Sequence, residues 1–398
     1  MNKITILILS LSMFTGCGVK EKKNTQTVIV NDLASPAKSP SGEPYLFTDK
    51  SGTTYLSWIE QKGKESAFRY AILTGNEWSQ PLTIDSGSTW FVNWADYPMI
   101  ATNGKAFMAH YLDKSGANTY AYDIKLTSSQ DGRKWSEPTI LHDDGKQAEH
   151  GFVSIVPYQE NFFASWLDGR NTAMEGMDHH TGHHGDMSVR AAILANDGTK
   201  VSEWELDKRV CDCCQTSAAI TANGPVVVYR DRTENEVRDM SIVRLIDGRW
   251  TEPTSIHDDN WKIAGCPVNG PRVSANGNNL VIAWFTMQQD QAQVKVLLST
   301  DGGASFGEPV RVDEGSAIGR VDAIMMDDGS AMVSWMEGPT IKVVKVYSDG
   351  RKDSLTSIAT SSDSRSSGFP QMTLSKGRLI FAWTDDKEKT IKTASISL

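Results

Sequence analysis

Along most of this chain apolar and polar residues alternate at every second position over short runs, the pattern of half-buried β-strands. Seven of these runs share one form: "TYLSWIEQ", "AFMAHYLD", "NFFASWLDGR", "PVVVYRDR", "NLVIAWFT", "SAMVSWME" and "RLIFAWTDD". Their markers are Trp58, His110, Trp166, Tyr229, Trp284, Trp335 and Trp383, spaced 48 to 63 residues apart. An apolar strand and a Gly- or Asn-containing turn precede each. Where the chain allows, another alternating strand follows, such as "FRYAILT" or "VKVLLST", then a short strand ending near "EP" or "QP". No long apolar helix and no low-complexity segment interrupts the series.

Four short strands per roughly fifty residues, repeated, is the signature of β-propeller blades. The pattern predicts an all-β, seven-bladed β-propeller, with six blades as the alternative if one unit is only decoration. The last unit stops after its third strand, "TIKTASISL", whereas "TQTVIVNDL" near the start is a strand without a blade. It is expected to close the ring as the outer strand of blade 7, removing the edge an open ring would expose. Residues 28–398 are therefore read as one propeller domain.

Two turns carry more information than the rest. "STDGGASF" supplies Ser299, Asp301, Gly303 and Phe306, and "SQDGRKW", one residue shorter, supplies Ser129, Asp131, Gly132 and Trp135. In each, the aspartate can accept turn N–H groups, glycine tolerates positive φ, and the aromatic ring packs on the blade. These turns resemble the BNR/Asp-box repeat of sialidases and related propellers, a likeness that spans 28–398 at the level of architecture. It implies that the boxes lie on the face opposite the active site, so they speak for fold and little for function. A sialidase would also bring an arginine triad, its first member in an F/Y-R-I-P segment, and a Tyr–Glu nucleophile pair. The early candidates here, "GEPYLF" and "ADYPMI", contain no arginine. Arg170, Arg230 and Arg320 are expected on the proper face and could meet an anionic ligand, although salt bridging is the plainer role. Asp96, Tyr97 and Glu149 start strands on that face too.

The N-terminus reads as a leader. Lys3 precedes the apolar "ITILILSLSMF", which ends in "FTGC". This is similar to the lipobox of bacterial lipoproteins, and the resemblance implies a signal peptide over 1–16 and a lipidated Cys17, with Phe14 where leucine is usual. Residues 17–27 then form a polar tether, and Gly18 in place of an aspartate favours the outer membrane. The expected location is outside the cytoplasm, with the lipid anchor on the membrane. The chain has 49 acidic against 40 basic side chains and a net charge of −9, which gives no reason to expect nucleic-acid binding. A monomer is expected.

With Cys17 set aside, four cysteines remain: Cys211, Cys213 and Cys214 in "VCDCCQTS", and Cys266 in "AGCPVNGP". Strands alternate in direction within a blade. Connections leading into first strands therefore share a face with those joining second to third strands. That rule places the triplet at blade 4 and Cys266 at the equivalent point of blade 5. It also places His150 at blade 3 and, in the long blade 3 insert, His179, His180, His183, His184 and Met187. Asp212 and Gln215 are expected beside the sulfurs. Two disulfides, a metal site and metal-free thiol chemistry are all compatible with this set. The CxC and CC spacings are unlike the CxxC of thioredoxin-like proteins. Thiolate with imidazole and thioether is a soft donor set, so the adopted reading is a metal site, copper first and zinc as the alternative. The remaining expectations are an exo-sialidase-like hydrolase, or a scaffold for a glycan or an envelope protein.

Overall fold

The computed structural model describes residues 28–172 and 185–398. Cys17 and the leader, like His179, His180, His183, His184, Met174 and Met177, lie outside the described residues. Seven antiparallel sheets form seven blades. Their inner strands are Ser41–Thr48, Met99–Thr102, His150–Tyr158, Ser217–Thr221, Arg272–Asn276, Ala317–Met325 and Gln371–Ser375. Successive inner strands touch all round the ring, blade 7 returning to blade 1. The outer strand of blade 7 is Val30–Leu33, which pairs antiparallel with Thr390–Ser397. The first described strand thus closes the ring on the last, as the sequence pattern predicts. In blades 1 and 4 the outer strand is split into two pieces.

The markers explain why the blades stack. Trp58, Trp166, Trp284 and Trp335 are almost wholly buried, each on the second strand of its blade. Their indole N–H groups are satisfied by carboxylates: Trp58 by Glu60 (3.2 Å), Trp166 by Asp168 (2.9 Å) and Trp335 by Glu337 (2.7 Å). Trp284 donates instead to Asp259 at 2.7 Å, from the connection that leads into its own blade. Burying a large ring is costly unless its polar edge finds such a partner.

Both Asp boxes form on the opposite face. Asp301 Oδ1 accepts the N–H groups of Ala304 and Ser305 at 2.9 Å, and Ser299 Oγ accepts that of Gly303 at 2.9 Å. In the shorter box Asp131 Oδ1 accepts from Arg133 and Lys134 at 2.8 Å, and Ser129 Oγ from Gly132 at 2.9 Å. Gly303 (φ 81°) and Gly132 (φ 71°) supply the left-handed turn. Phe306 and Trp135 pack against the cores of their blades.

The inner strands of blades 1, 3 and 6 each carry a bulge near their start, at Gly42–Tyr45, Gly151–Ser154 and Gly319–Asp322. The residue after each glycine, Glu43, Phe152 and Arg320, has positive φ. Such bulges re-aim side chains, here beside the face that carries the cysteines.

One marker departs from the pattern. His110 is fully buried and neither ring nitrogen has a partner. Burial pushes its pKa down to about 3. The unfolded chain takes up this proton near pH 6.5 and the folded chain does not, so stability falls as pH drops from about 6.5 towards 3. The slope approaches about 1.4 kcal/mol per pH unit. Chemical denaturation across this range is expected to show a shallower acid slope for His110→Phe than for the wild type.

Candidate metal centre

The segment bearing three cysteines is held at both ends before it reaches the inner strand of blade 4. Cys211 N–H donates to Arg230 O at 3.0 Å, and Thr216 Oγ1 donates to Phe152 O at 2.9 Å. Between them the chain folds tightly enough to gather the sulfurs. Cys211 Sγ lies 2.8 Å from Cys214 Sγ and 4.0 Å from Cys213 Sγ, and the three sulfurs lie within 4.8 Å of one another. Cys266, from the approach to blade 5, comes near enough to Cys213 for the two to shift each other's pKa. All four are free thiols; a disulfide would need about 2.0 Å. The nearest pair is Cys211 with Cys214, the C-x-x-C pair within the same four residues, not the adjacent or alternate pair that the sequence brings to notice first.

The electrostatics single out one sulfur. Burial opposes ionisation of Cys211, but hydrogen bonds from Cys213 and Cys214 and the Arg230 charge carry its pKa well below the usual thiol range. Arg238 Nη1 also lies 3.4 Å from Cys211 Sγ. Hydrogen bonds to Cys211, Cys214 and Cys266 push Cys213 up, and burial followed by the bond to Cys211 pushes Cys214 up. Cys266 is lowered by its bond with Cys213. Cys211 is thus the most readily ionised thiol of the cluster, with half-buried Cys213 and exposed Cys266 on its solvent side. Around it, Arg232 pairs with Asp212 (3.3 Å) and Glu236 (2.8 Å), and Arg238 with Glu236 (2.9 Å).

Other predicted residues go elsewhere. His150 turns its Nε2 to Asp144 (3.2 Å) and Asp168 (3.7 Å), away from the sulfurs. Met187 is buried in a core cluster with Phe163, Val189 and Leu206. Gln215 works as a cross-link, bonding Ala95 O at 2.5 Å and Gly270 N–H at 2.9 Å. The three arginines share no ligand. Arg170 forms a two-pronged pair with Asp168 (2.7 and 2.8 Å). Arg230 donates to the carbonyls of Asn269, Arg238 and Phe285, and Arg320 to those of Ser364 and Gly368. These guanidiniums are structural donors to buried backbone and carboxylate, a role that only the packing decides. Arg238, which the sequence reading missed, was open to discovery, because it sits in a second-to-third connection on the cysteine face.

On the same face, at the entries to blades 1 to 3, lies a group of buried carboxyls. Tyr122 O–H donates to Glu149 Oε1 at 2.7 Å. Burial pushes Glu149 up to about 8, against the Tyr122 bond. Asp96 Oδ2 accepts Phe152 N–H at 2.8 Å, yet burial holds Asp96 up at about 7, and Glu43 likewise. Gly151 is required here: a Cβ would meet Asp96 Oδ2 at 2.1 Å. Tyr122 itself is buried beneath Phe91, ring centroids 4.1 Å apart.

No protein-family model matches the chain, and no curated protein matches it. Solved structures share its fold. The polysaccharide lyase Uly1 aligns with a TM-score of 0.54 at 10% identity, over 94% of both chains. The α-L-arabinofuranosidase Arb93A from Fusarium graminearum aligns at 0.51 and 10% identity, over 93% of this chain and 96% of its own. The phage phi92 endosialidase aligns at 0.51 and 11%, over 93% of this chain and 69% of its own. At such identities the likeness is one of propeller architecture.

The carboxyls predict an alkaline counterpart to His110. Asp96 keeps its proton in the folded chain to about pH 7 and loses it near pH 4 when unfolded. Its contribution is therefore complete below about pH 4 and is lost as pH rises through 7. Asp96→Asn, which can still accept the Phe152 N–H, is expected to flatten the loss of stability between about pH 4 and 7 in denaturant titrations.

Proposed function

We propose that this chain is an exported, lipid-anchored propeller of the cell envelope whose cysteine cluster binds a soft metal ion, Cu(I) in preference to zinc. The observation that carries the reading is the gathering of Cys211, Cys213 and Cys214 within 4.8 Å, with Cys266 approaching Cys213 from the next blade. A metal–sulfur bond of about 2.3 Å in a tetrahedral site puts sulfurs about 3.8 Å apart. Cys211 and Cys213, at 4.0 Å, stand near that spacing, and Cys211 and Cys214 would open from 2.8 Å. The ion would displace thiol protons from the cluster, so binding releases protons and strengthens as pH rises. Soft thiolates without a hard ligand among them favour Cu(I). Exposed Cys266 and half-buried Cys213 offer the way in, and Arg238 offsets part of the charge of the loaded site.

Elemental analysis of the full chain purified under reducing conditions tests this. Stoichiometric copper or zinc is expected in the wild type and its loss in Cys213→Ser, with Cys266→Ser, at an exposed position, weakening retention without unfolding the chain. A wild type with neither metal nor free thiol refutes the reading.

A second reading rests on the Tyr122–Glu149 pair and on the fold shared with the arabinofuranosidase, lyase and endosialidase structures: cleavage of a glycan on the same face. Glu149, protonated near neutrality, has the character of a general acid. Release of fluorophore from a sialoside or arabinoside, falling at least about tenfold in Glu149→Gln, would support it. A wild type inactive across such a panel removes it.

A further inference from the structure

A second ligand set, with no sulfur in it, lies where blade 2 hands over to blade 3. Asp123, His142 and His150 form one group within metal-binding reach, and Asp144, His150 and Asp168 another that shares His150. His142 and Asp144 belong to the connection leading into blade 3, and His150 is the first residue of that blade's inner strand. The side chains of His142, His150 and Asp168 are 2% exposed or less, and that of Asp144 is 5% exposed. The two imidazoles stack with centroids 3.6 Å apart and planes 2° from parallel.

Their hydrogen bonds determine where the protons are. His150 Nδ1 faces Ala148 O at 3.2 Å, and a carbonyl can only accept, so Nδ1 carries the hydrogen. His142 Nδ1 faces Asp144 Oδ1 at 2.6 Å and donates in the same way. In the neutral ring both Nε2 atoms then present lone pairs, and both point at carboxylates. His142 Nε2 is buried without a hydrogen-bond partner, 3.5 Å from Asp123 Oδ1. His150 Nε2 lies 3.2 Å from Asp144 Oδ2. Lone pair against carboxylate is repulsive, and a positive centre between them removes the conflict. Two stacked imidazolium ions would replace it with another, since like charges this close repel, and a single imidazolium at His142 would leave the His150 Nε2 lone pair facing Asp144. One divalent cation serves both rings. Of the three aspartates only Asp168 has its own guanidinium, that of Arg170.

The repeat supplies an internal control. "LHDD" at 141–144 recurs as "IHDD" at 256–259. In the second copy Lys295 occupies the corresponding place: its Nζ lies 2.6 Å from Asp259 Oδ1 and 3.4 Å from His257 Nε2. Lys295 stands opposite Trp284 across the strand pair, and the residue opposite Trp166 is Arg190. Arg190 turns away to Glu203 (2.7 Å) and Glu205 (3.2 Å). In the first copy Arg170 reaches Asp168, and among the described residues no cation takes the place that Lys295 holds between the histidine and the last aspartate of the motif.

We propose that His142 Nε2, His150 Nε2 and Asp123, with Asp144 orienting His142 and flanking His150, bind a borderline divalent cation such as zinc that ties blade 2 to blade 3. Two imidazoles with carboxylate oxygen suit that class of ion, and the Asp144–His142 bond is the outer support such ligands use. The site is independent of the sulfur cluster.

The test uses the full chain with Cys211, Cys213 and Cys214 changed to serine, stripped by chelator and titrated with zinc. One equivalent is expected to bind and to raise the melting temperature. His142→Ala should abolish it, and Asp144→Asn, which leaves the ligating nitrogens in place, should weaken it about 10- to 100-fold. If either background fails to fold, cobalt(II) added to the wild type provides the readout, with ligand-field bands that persist when the sulfur charge-transfer bands are removed by a thiol-blocking reagent. Absence of zinc binding by the folded triple variant, binding indifferent to His142→Ala, or nitrogen NMR showing a proton on Nε2 of His142 or His150 in zinc-treated protein would each overturn the proposal.

Discussion

The ring depends on side-chain oxygens that reach from one blade to the backbone of the next. Adjacent blades share no backbone ladder, so inner-strand N–H groups facing a neighbour need another acceptor or remain unpaired at a cost of about 1–3 kcal/mol each. Asp96 accepts Phe152 N–H (2.8 Å), Ser154 that of Ala218 (3.0 Å) and Ser217 that of Val273 (3.0 Å). Ser274 accepts that of Met325 (3.0 Å), and Asp322 that of Met372 (2.7 Å). These bonds set the angle between neighbouring blades, and with it which connections meet above the channel. The meeting of Cys213 with Cys266 is a consequence of that geometry, since the two come from different blades.

The same bonds explain the electrostatic character of the face. An acceptor that must reach into a blade interface is desolvated, and Asp96 and Asp322 are both raised by burial for that reason. Arg272 answers on one side of the channel, with its Nε 3.1 Å from Asp322 and its Nη2 2.6 Å from the Tyr97 hydroxyl. Arg230 and Arg320 are consumed by backbone carbonyls. Few guanidiniums remain to greet an anion, and what the face offers is sulfur, imidazole and carboxyl.

The carboxylate partners of the buried tryptophans link stability to this chemistry. Asp168 and Asp259 each satisfy an indole N–H and each stand beside a histidine. A structural pairing repeated from blade to blade is thus the frame on which the His142–His150 cluster is built. In one copy a lysine balances the frame. In the other Arg170 balances Asp168, while Arg190, at the position of that lysine, turns outward to Glu203 and Glu205.

Much of the architecture was legible in the order of residues. Period-two alternation, the aromatic marker at a near-constant spacing and the two Asp-box turns are local signals, because strand pleat and turn geometry depend on neighbours a few positions away. Blade number, ring closure by Val30–Leu33 and the face bearing Cys211–Cys214 follow from them. Side-chain direction does not. Whether His150 looks at sulfur or at Asp168, whether Met187 is a ligand or a core residue, and whether Arg230 meets solvent or Asn269 O are decided by bulges and by groups more than a blade away. The pairing of Tyr122 with Glu149 and the stacking of His142 on His150 were hidden for the same reason: they join separate connections whose distance is set only when the ring closes.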